Sequence, residues 1–200
     1  YQGTRLESVT PPGTGSISYS YSADTGTVTN TDGKRRKYTY QEDGKVVQVL
    51  EEDGGGQLTI ATNYAYDAMA RLITITQGAQ MRSFTYDDMG RLLTETHPES
   101  GTTSYTYDLN SNVLTKTDAR NVVTTFTYDE LNRVAQKSYS DGTASVYYTY
   151  DTAPPGSPIA TANPIGRLTK VTTTTSGVTA SQYYSYCTCS SVEQEATVIT

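Results

Sequence analysis

Residues 84–96 read FTYDDMGRLLTET, and close variants return as YTYDLNSNVLTKT at 105–117 and FTYDELNRVAQKS at 126–138. Enzyme motifs rarely recur at even spacing, so the stretch points to a unit of construction before it points to chemistry. Aligned on the second aromatic, the pattern falls at Tyr21, Tyr40, Tyr66, Tyr86, Tyr107, Tyr128, Tyr150 and Tyr186. An aromatic stands two residues earlier each time, at Tyr19, Tyr38, Tyr64, Phe84, Tyr105, Phe126, Tyr148 and Tyr184. Asp follows in five copies, as Asp67, Asp87, Asp108, Asp129 and Asp151.

Each part of the unit has a mechanical reading. Aromatics at i and i+2 share one face of a strand, and the residue between them faces the other way. Asp at the strand end can accept from backbone N–H groups ahead of it and open a turn. Gly90 and Asn132 then stand where a left-handed residue closes a hairpin with a bulge. Ala70 and Ser111 fill that slot less comfortably, which predicts strained or differently shaped turns there. The return strand starts at Arg71-Leu72, Arg91-Leu92, Arg133-Val134 and Arg167-Leu168. A second polar turn leads into the next aromatic strand.

Composition agrees. The chain of 200 residues has 18 Tyr, 2 Phe, no Trp and 1 His, and no segment sustains a helical apolar period. Tyr and Thr suit a pleated, half-buried surface. The fold class is therefore all-β: an array of about eight antiparallel hairpins forming a long curling or spiralling sheet, a segment of a β-shell or an open strip. Along the chain, repeats are degenerate over 1–62 and regular over 63–150. A Pro-rich insertion covers 151–166, and the last repeats fill 167–200. A net charge of −6 offers no basic stripe for nucleic acid, and no apolar run is long enough to span a membrane. The chain opens on Tyr1 rather than Met, so the expectation is a piece of a longer or processed protein.

The pattern Y-x-Y-D-x-x-G-R-L-x-x-x-T, present as FTYDDMGRLLTET, resembles the YD repeat of the RHS (rearrangement hotspot) family. That family includes bacterial RHS toxin carriers, the C components of insecticidal toxin complexes, bacterial wall-associated proteins and animal teneurins. The resemblance covers about residues 15–192 and is strongest over 63–150. It implies a β-ribbon spiralling into a hollow shell, a scaffold role and secreted or cell-surface placement, and it carries over no catalytic residue. The RHS core motif that family members with cargo place near their end is not found here.

Each candidate site also has a simpler reading. The aromatics Tyr64, Tyr66, Phe84, Tyr86, Tyr105, Tyr107, Phe126, Tyr128, Tyr148 and Tyr150 read first as a packing ladder, since they recur in every unit. Their hydroxyls need partners when buried, and outer Tyr residues leave room for glycan contacts. Asp67, Asp87, Asp108, Asp129 and Asp151 read as turn caps rather than calcium ligands. His97 stands alone in HPESG, without a nucleophile. The stretch 53–56, DGGG, reads as a flexible loop, and 151–166 as a surface insertion, tolerated or functional. Cys187 takes the slot that Asp holds elsewhere. With Cys189 it forms a possible disulfide site, and three readings stay open: pairing outside this chain, free thiols, or a local bond.

The expectation is thus a non-enzymatic extracellular scaffold, with no catalytic, cofactor or metal residue. Its partners are copies of itself or flanking YD repeats of the parent chain. A glycan-binding or adhesion module and a toxin-enclosing cocoon are the alternatives.

Overall fold

The computed structural model describes residues 7–10, 15–187 and 191–200. Among them are seventeen strands and no helix. The expected all-β array of antiparallel hairpins is the observed architecture.

The chain divides into two compact units, one ending at Gly101 and one beginning at Thr102. The first holds β1 (Ser8–Val9), β2 (Ile17–Ser22), β3 (Thr25–Thr29), β4 (Arg35–Tyr40), β5 (Val46–Glu52), β6 (Leu58–Tyr66), β7 (Leu72–Gln77), β8 (Gln80–Tyr86) and β9 (Leu92–His97). The second holds β10 (Gly101–Tyr107), which starts one residue before it, β11 (Val113–Thr117), β12 (Val123–Tyr128), β13 (Val134–Tyr139), β14 (Val146–Tyr150), β15 (Leu168–Thr175), β16 (Val178–Tyr186) and β17 (Val192–Ile199). Within each unit every strand pairs antiparallel with its neighbours in sequence.

Every even-numbered strand from β4 to β16 ends on the aromatic-x-Tyr pair, β2 carries the pair one residue before its end, and the odd-numbered strand after each returns. The second Tyr meets an aliphatic residue across the hairpin: Tyr40 faces Val46, Tyr66 Leu72, Tyr86 Leu92, Tyr107 Val113, Tyr128 Val134, Tyr150 Leu168 and Tyr186 Val192. The register slips by one residue at each of these pairs, so a bulge sharpens the twist beside each of these seven turns. The β2–β3 hairpin departs from the rule. Its register runs without a slip, and Tyr21 faces Gly26.

The two faces of these strands differ in chemistry. In β6, β8 and β12 the aromatics are half-buried, while Ala65, Thr85 and Thr127 between them are exposed. On that Thr-rich face, Thr85 and Thr94 are hydrogen-bonded across the hairpin at 2.6 Å, as are Thr106 and Thr115 at 2.6 Å. The thin packing shows in the burial. Among the described residues Tyr183 is the one large side chain with an apolar body that is buried, and Thr169, Ser181 and Ser185 are the buried polar ones. All four lie in β15 and β16. The insertion 151–166 folds back here: Ala162 N–H donates to Ser185 Oγ at 3.1 Å and Asn163 Nδ2 to Tyr186 O at 3.0 Å.

Candidate functional site: a clasp between successive hairpins

The Asp of each unit builds its turn with both carboxylate oxygens. Asp87 Oδ1 accepts the N–H of Met89 and of Arg91, each at 2.9 Å, and Oδ2 accepts Arg91 Nε at 2.7 Å. Gly90 N–H donates to Asp87 O at 3.0 Å, and Asp87 N–H to Arg91 O at 2.9 Å. Asp67 and Asp129 grip Met69, Arg71 and Leu131, Arg133 in the same way. In the unit of Asp108, Asn112 replaces Arg and donates its Nδ2 to Asp108 Oδ2 at 2.9 Å and to Asn132 Oδ1 of the next turn at 2.8 Å.

Left-handed backbone closes each of these turns. Its φ is 81° at Gly90, 59° at Asn132, 67° at Ala70 and 68° at Ser111. The turns of Ala70 and Ser111 keep the same hydrogen bonds as the glycine turn, so the non-glycine slots change the energy of the turn rather than its shape.

The stretch 53–56 is built alike. Asp53 Oδ1 accepts from Gly55 N–H at 2.8 Å and Gln57 N–H at 3.0 Å, and Gly56 has φ 77°. The loop reading from sequence gives way to an ordered turn, because Asp53 and Gly56 stand three apart as Asp and Gly do in the YD unit. Asp118 with Asn121 repeats the arrangement in the second unit of the fold.

These interactions hold the carboxyls of Asp67, Asp87 and Asp129 below the ordinary aspartate range. The backbone N–H four residues on is the chief cause for the first two, and the Arg133 guanidinium for the third. Asp43, paired with Lys45, is lowered to about 2.

The Arg that grips its own Asp also reaches the following hairpin. Arg71 Nη1 donates to Asp87 O at 2.8 Å, and its guanidinium carbon lies 5.1 Å from the centre of the Tyr86 ring. Tyr86 in turn donates its hydroxyl back to Leu72 O at 2.9 Å. Arg133 repeats this over Tyr150 at 4.3 Å and binds Asp151 Oδ2 at 2.5 Å, while Tyr150 donates to Val134 O at 3.0 Å. Arg167 lies 5.1 Å from the Tyr186 ring and donates to Cys187 O, and Tyr186 donates to Leu168 O at 2.6 Å. Tyr66 and Tyr128 reach Val46 O and Val113 O in the same sense. Burial raises the phenol pKa of Tyr128, Tyr150 and Tyr186.

The first aromatics, Tyr64, Phe84, Tyr105, Phe126 and Tyr148, share this half-buried face. Lys116 lies over Tyr105 and Lys137 over Phe126, at 5.9 and 5.6 Å. His97 sits edge-on to Phe84 and 3.4 Å from Glu95. At Asp151 the insertion lengthens the turn, yet Asp151 N–H still closes on Arg167 O at 3.1 Å. Cys187 makes the equivalent closure to Ser191 O at 3.1 Å and is disulfide-bonded, and Cys189 lies outside the described residues. Among the described residues no group of three or more His, Cys, Asp and Glu is gathered as a metal site.

The Asp turns are legible in the sequence, whereas the Arg-over-Tyr clasp emerges only in the structure. A signal for it was present: the first aromatic is Phe in two copies, whereas the second is Tyr in all eight aligned positions, as a required hydroxyl demands.

A hairpin array clasped through Tyr, Asp and Arg defines a YD-repeat scaffold. The teneurin YD-shell family model matches residues 8–117, and the chain belongs to that family. The RHS repeat model matches residues 107–144. A search of curated protein sequences finds no match. Among solved structures the chain is similar to TcdB2-TccC3 without its hypervariable C-terminal region, at 15% identity and TM-score 0.66, over 92% of this chain and 10% of that one. TcdB2-TccC3-TEV matches at 13% identity and TM-score 0.65, over 97% and 11%. A Photorhabdus luminescens Tc holotoxin pore with mutated TccC3 matches at 14% identity and TM-score 0.65, over 93% and 11%. The chain thus spans about a tenth of the length of the solved chains it matches.

Proposed function

We propose that this chain is a length of structural wall, non-enzymatic and extracellular, whose repeats join flanking YD repeats of a parent protein or further copies of the chain. The observation that carries the reading is the clasp. The recurring Tyr, Asp and Arg of the units are spent on their own turns and on the neighbouring hairpin, so what repeats in the sequence is what holds the sheet together. The disulfide at Cys187 suits an oxidising, extracellular compartment. No helix among the described residues is long and apolar enough to cross a membrane.

Electron microscopy of the parent protein tests the wall directly. A hollow particle, with this segment in its sheet, is the expected result. A solid particle without an enclosed space would end the shell reading. Light scattering on the isolated chain separates the two partners: assembly into dimers or fibres indicates copies, and a stable monomer indicates flanking repeats.

A toxin-enclosing cocoon is the more specific form of the same reading, supported by the Tc toxin components named in the similar structures. It requires a cargo domain encoded beyond this segment.

A further inference from the structure

The repeat spends its Tyr, Asp and Arg on the clasp, yet one recurring side chain takes no part in it. Each turn capped by Asp67, Asp87, Asp108, Asp129 or Asp151 carries one large apolar residue at its apex: Met69, Met89, Leu109, Leu131 and Ile165. Their exposure runs from 68% at Leu131 to 100% at Leu109. Four of them stand immediately before the left-handed residue, which is Ala70, Gly90, Asn132 or Gly166. In the remaining turn Asn110 has that place and Leu109 precedes it. Single exposed apolar residues are ordinary, but recurrence at one place in the unit is not.

The turns at the other end of the same strands differ. Their apexes read Gly78-Ala79, Pro98-Glu99-Ser100, Ala119-Arg120, Asp141-Gly142 and Ser176-Gly177, small or polar throughout. Antiparallel pairing sends β6 and β8 of the first unit to one side, and β10, β12 and β14 of the second. Each unit therefore has one apolar rim. The clasp fixes its spacing: Arg71 Nη1 on Asp87 O ties the turns of Met69 and Met89. Asn110 Nδ2 donates to Asn132 Oδ1 at 3.1 Å, tying the turns of Leu109 and Leu131. Asp151 takes Arg133 Nη2 at 2.5 Å and Gly166 N–H at 2.6 Å, which ties in Ile165. Successive apexes within a unit stand two strands apart, about 10 Å.

We propose that the apolar rim of each unit docks a cationic amphipathic α-helix laid across the turns. A helix returns to the same face after seven residues, about 10.5 Å, which matches the rim. An extended strand repeats its face about every 6.7 Å and does not. Thioether and aliphatic side chains suit the apolar face of a helix, whereas grooves for polyproline segments are lined with aromatics. The charged residues of the five apexes are Asp88 and Glu130, both acidic and exposed, so Lys or Arg flanking the helix face meets complementary charge. The same residues, in a chain of net charge −6, oppose rim-to-rim contact between two copies. The small and polar opposite rim is a poor match for it in a further winding of sheet. This inference is independent of the wall reading, because the apex side chains are not those of the clasp.

The test is NMR of the methionine ε-methyls with fluorescence anisotropy, on the whole chain. The probe is a synthetic helix of three heptads with Leu at a and d, Lys at e and g and Ala elsewhere. Controls are the same peptide with Glu at e and g, a shuffled peptide without an apolar face, and deca-proline. The chain has three methionines, and Met81, at the far end of β8 from the Met89 turn, is the internal reference. Binding should shift the Met69 and Met89 methyls and leave Met81 in place. Replacing one apex residue in each unit, Met89→Lys with Leu131→Lys, should weaken binding at least about tenfold. Met81→Lys with Val178→Lys adds the same charge at exposed positions by the other rim, and should weaken it less than about threefold. The proposal is overturned by any of four results: no binding of the Lys peptide, equal binding of any control peptide, equal loss in the two double variants, or a concentration-dependent shift of Met69 and Met89 in the chain alone, as a second copy would give.

Discussion

The hairpins β6–β9 and the strands β14–β16 use one clasp in two settings. In β6–β9, Arg71 lies over Tyr86 on a sheet whose side chains are at most half-buried. In β14–β16, Arg133 and Arg167 make equivalent contacts over Tyr150 and Tyr186, and Ala162 of 151–166 also bonds Ser185 on the opposite face, where Ser181, Tyr183 and Ser185 are buried. The first region is held by hydrogen bonds, ion pairs and ring contacts that repeat, while the second adds burial. The clasp is therefore sufficient to order a sheet, and a covered core is an addition to it.

Acid should separate the two most widely. Asp43, Asp53, Asp67 and Asp87 in the first unit have folded-state pKa values below the ordinary one, as do Asp129 and Asp151 in the second. The turns of both regions therefore weaken in acid, and among the described residues only β15–β16 keep a buried layer that does not titrate there. A lowered carboxylate stabilises the fold fully above its unfolded value, about 3.9, and the contribution disappears as pH falls through the folded value. Asp43, at about 2, sets the lower end of that window. Hydrogen exchange followed from pH 5 to pH 2 should show β6–β9 losing protection before β15–β16. Simultaneous loss would mean that the covered region depends on its turns as much as the open one does.

Tyr183→Ala probes the buried layer itself. Removing a buried ring costs on the order of 3 kcal/mol, and Tyr183 is 6% exposed. Tyr147, in the same unit and 47% exposed, should cost less than about 1 kcal/mol when changed to Ala. Denaturant midpoints for the two variants give the contrast. Equal losses would show that the buried layer of β15 and β16 adds nothing to stability.

Tyr86→Phe tests the clasp where no cover assists it. It removes the hydroxyl that Leu72 O accepts, at a cost of about 1 kcal/mol. Phe84→Tyr, at the first aromatic position, should change stability by less than about half of that, because the array already carries either residue there. If the two substitutions cost the same by denaturant titration, the hydroxyl ladder contributes nothing that a ring does not.

The parts of this architecture that were legible in sequence are the local ones. Asp87 meets Met89, Gly90 and Arg91 within four residues, so a turn preference is enough to find them. The contacts that escaped span longer separations. Arg71 reaches Asp87 across 16 residues, and Ala162 reaches Ser185 across 23. Their partners depend on hairpin register, which the repeat suggests but no single unit contains. The turn at 53–56 escaped for a different reason, since three successive glycines look like slack until Asp53 is recognised as the cap.

The smallest effect separates turn shape from turn energy. Ala70 closes the Asp67 turn with φ 67°, where Gly90 closes the Asp87 turn with φ 81°. Left-handed backbone costs a residue with a Cβ roughly 1–2 kcal/mol. Replacing Ala by Gly also loosens the unfolded chain, which returns about 0.4–1 kcal/mol of that. Ala70→Gly should therefore stabilise the protein by about 0.5 kcal/mol, and Gly90→Ala should destabilise it by a similar amount. Thermal melts of the two variants are the measurement. If Ala70→Gly destabilises instead, the Ala70 methyl makes a contact that outweighs its strain, and the two turns are not energetic equivalents despite their shared hydrogen bonds.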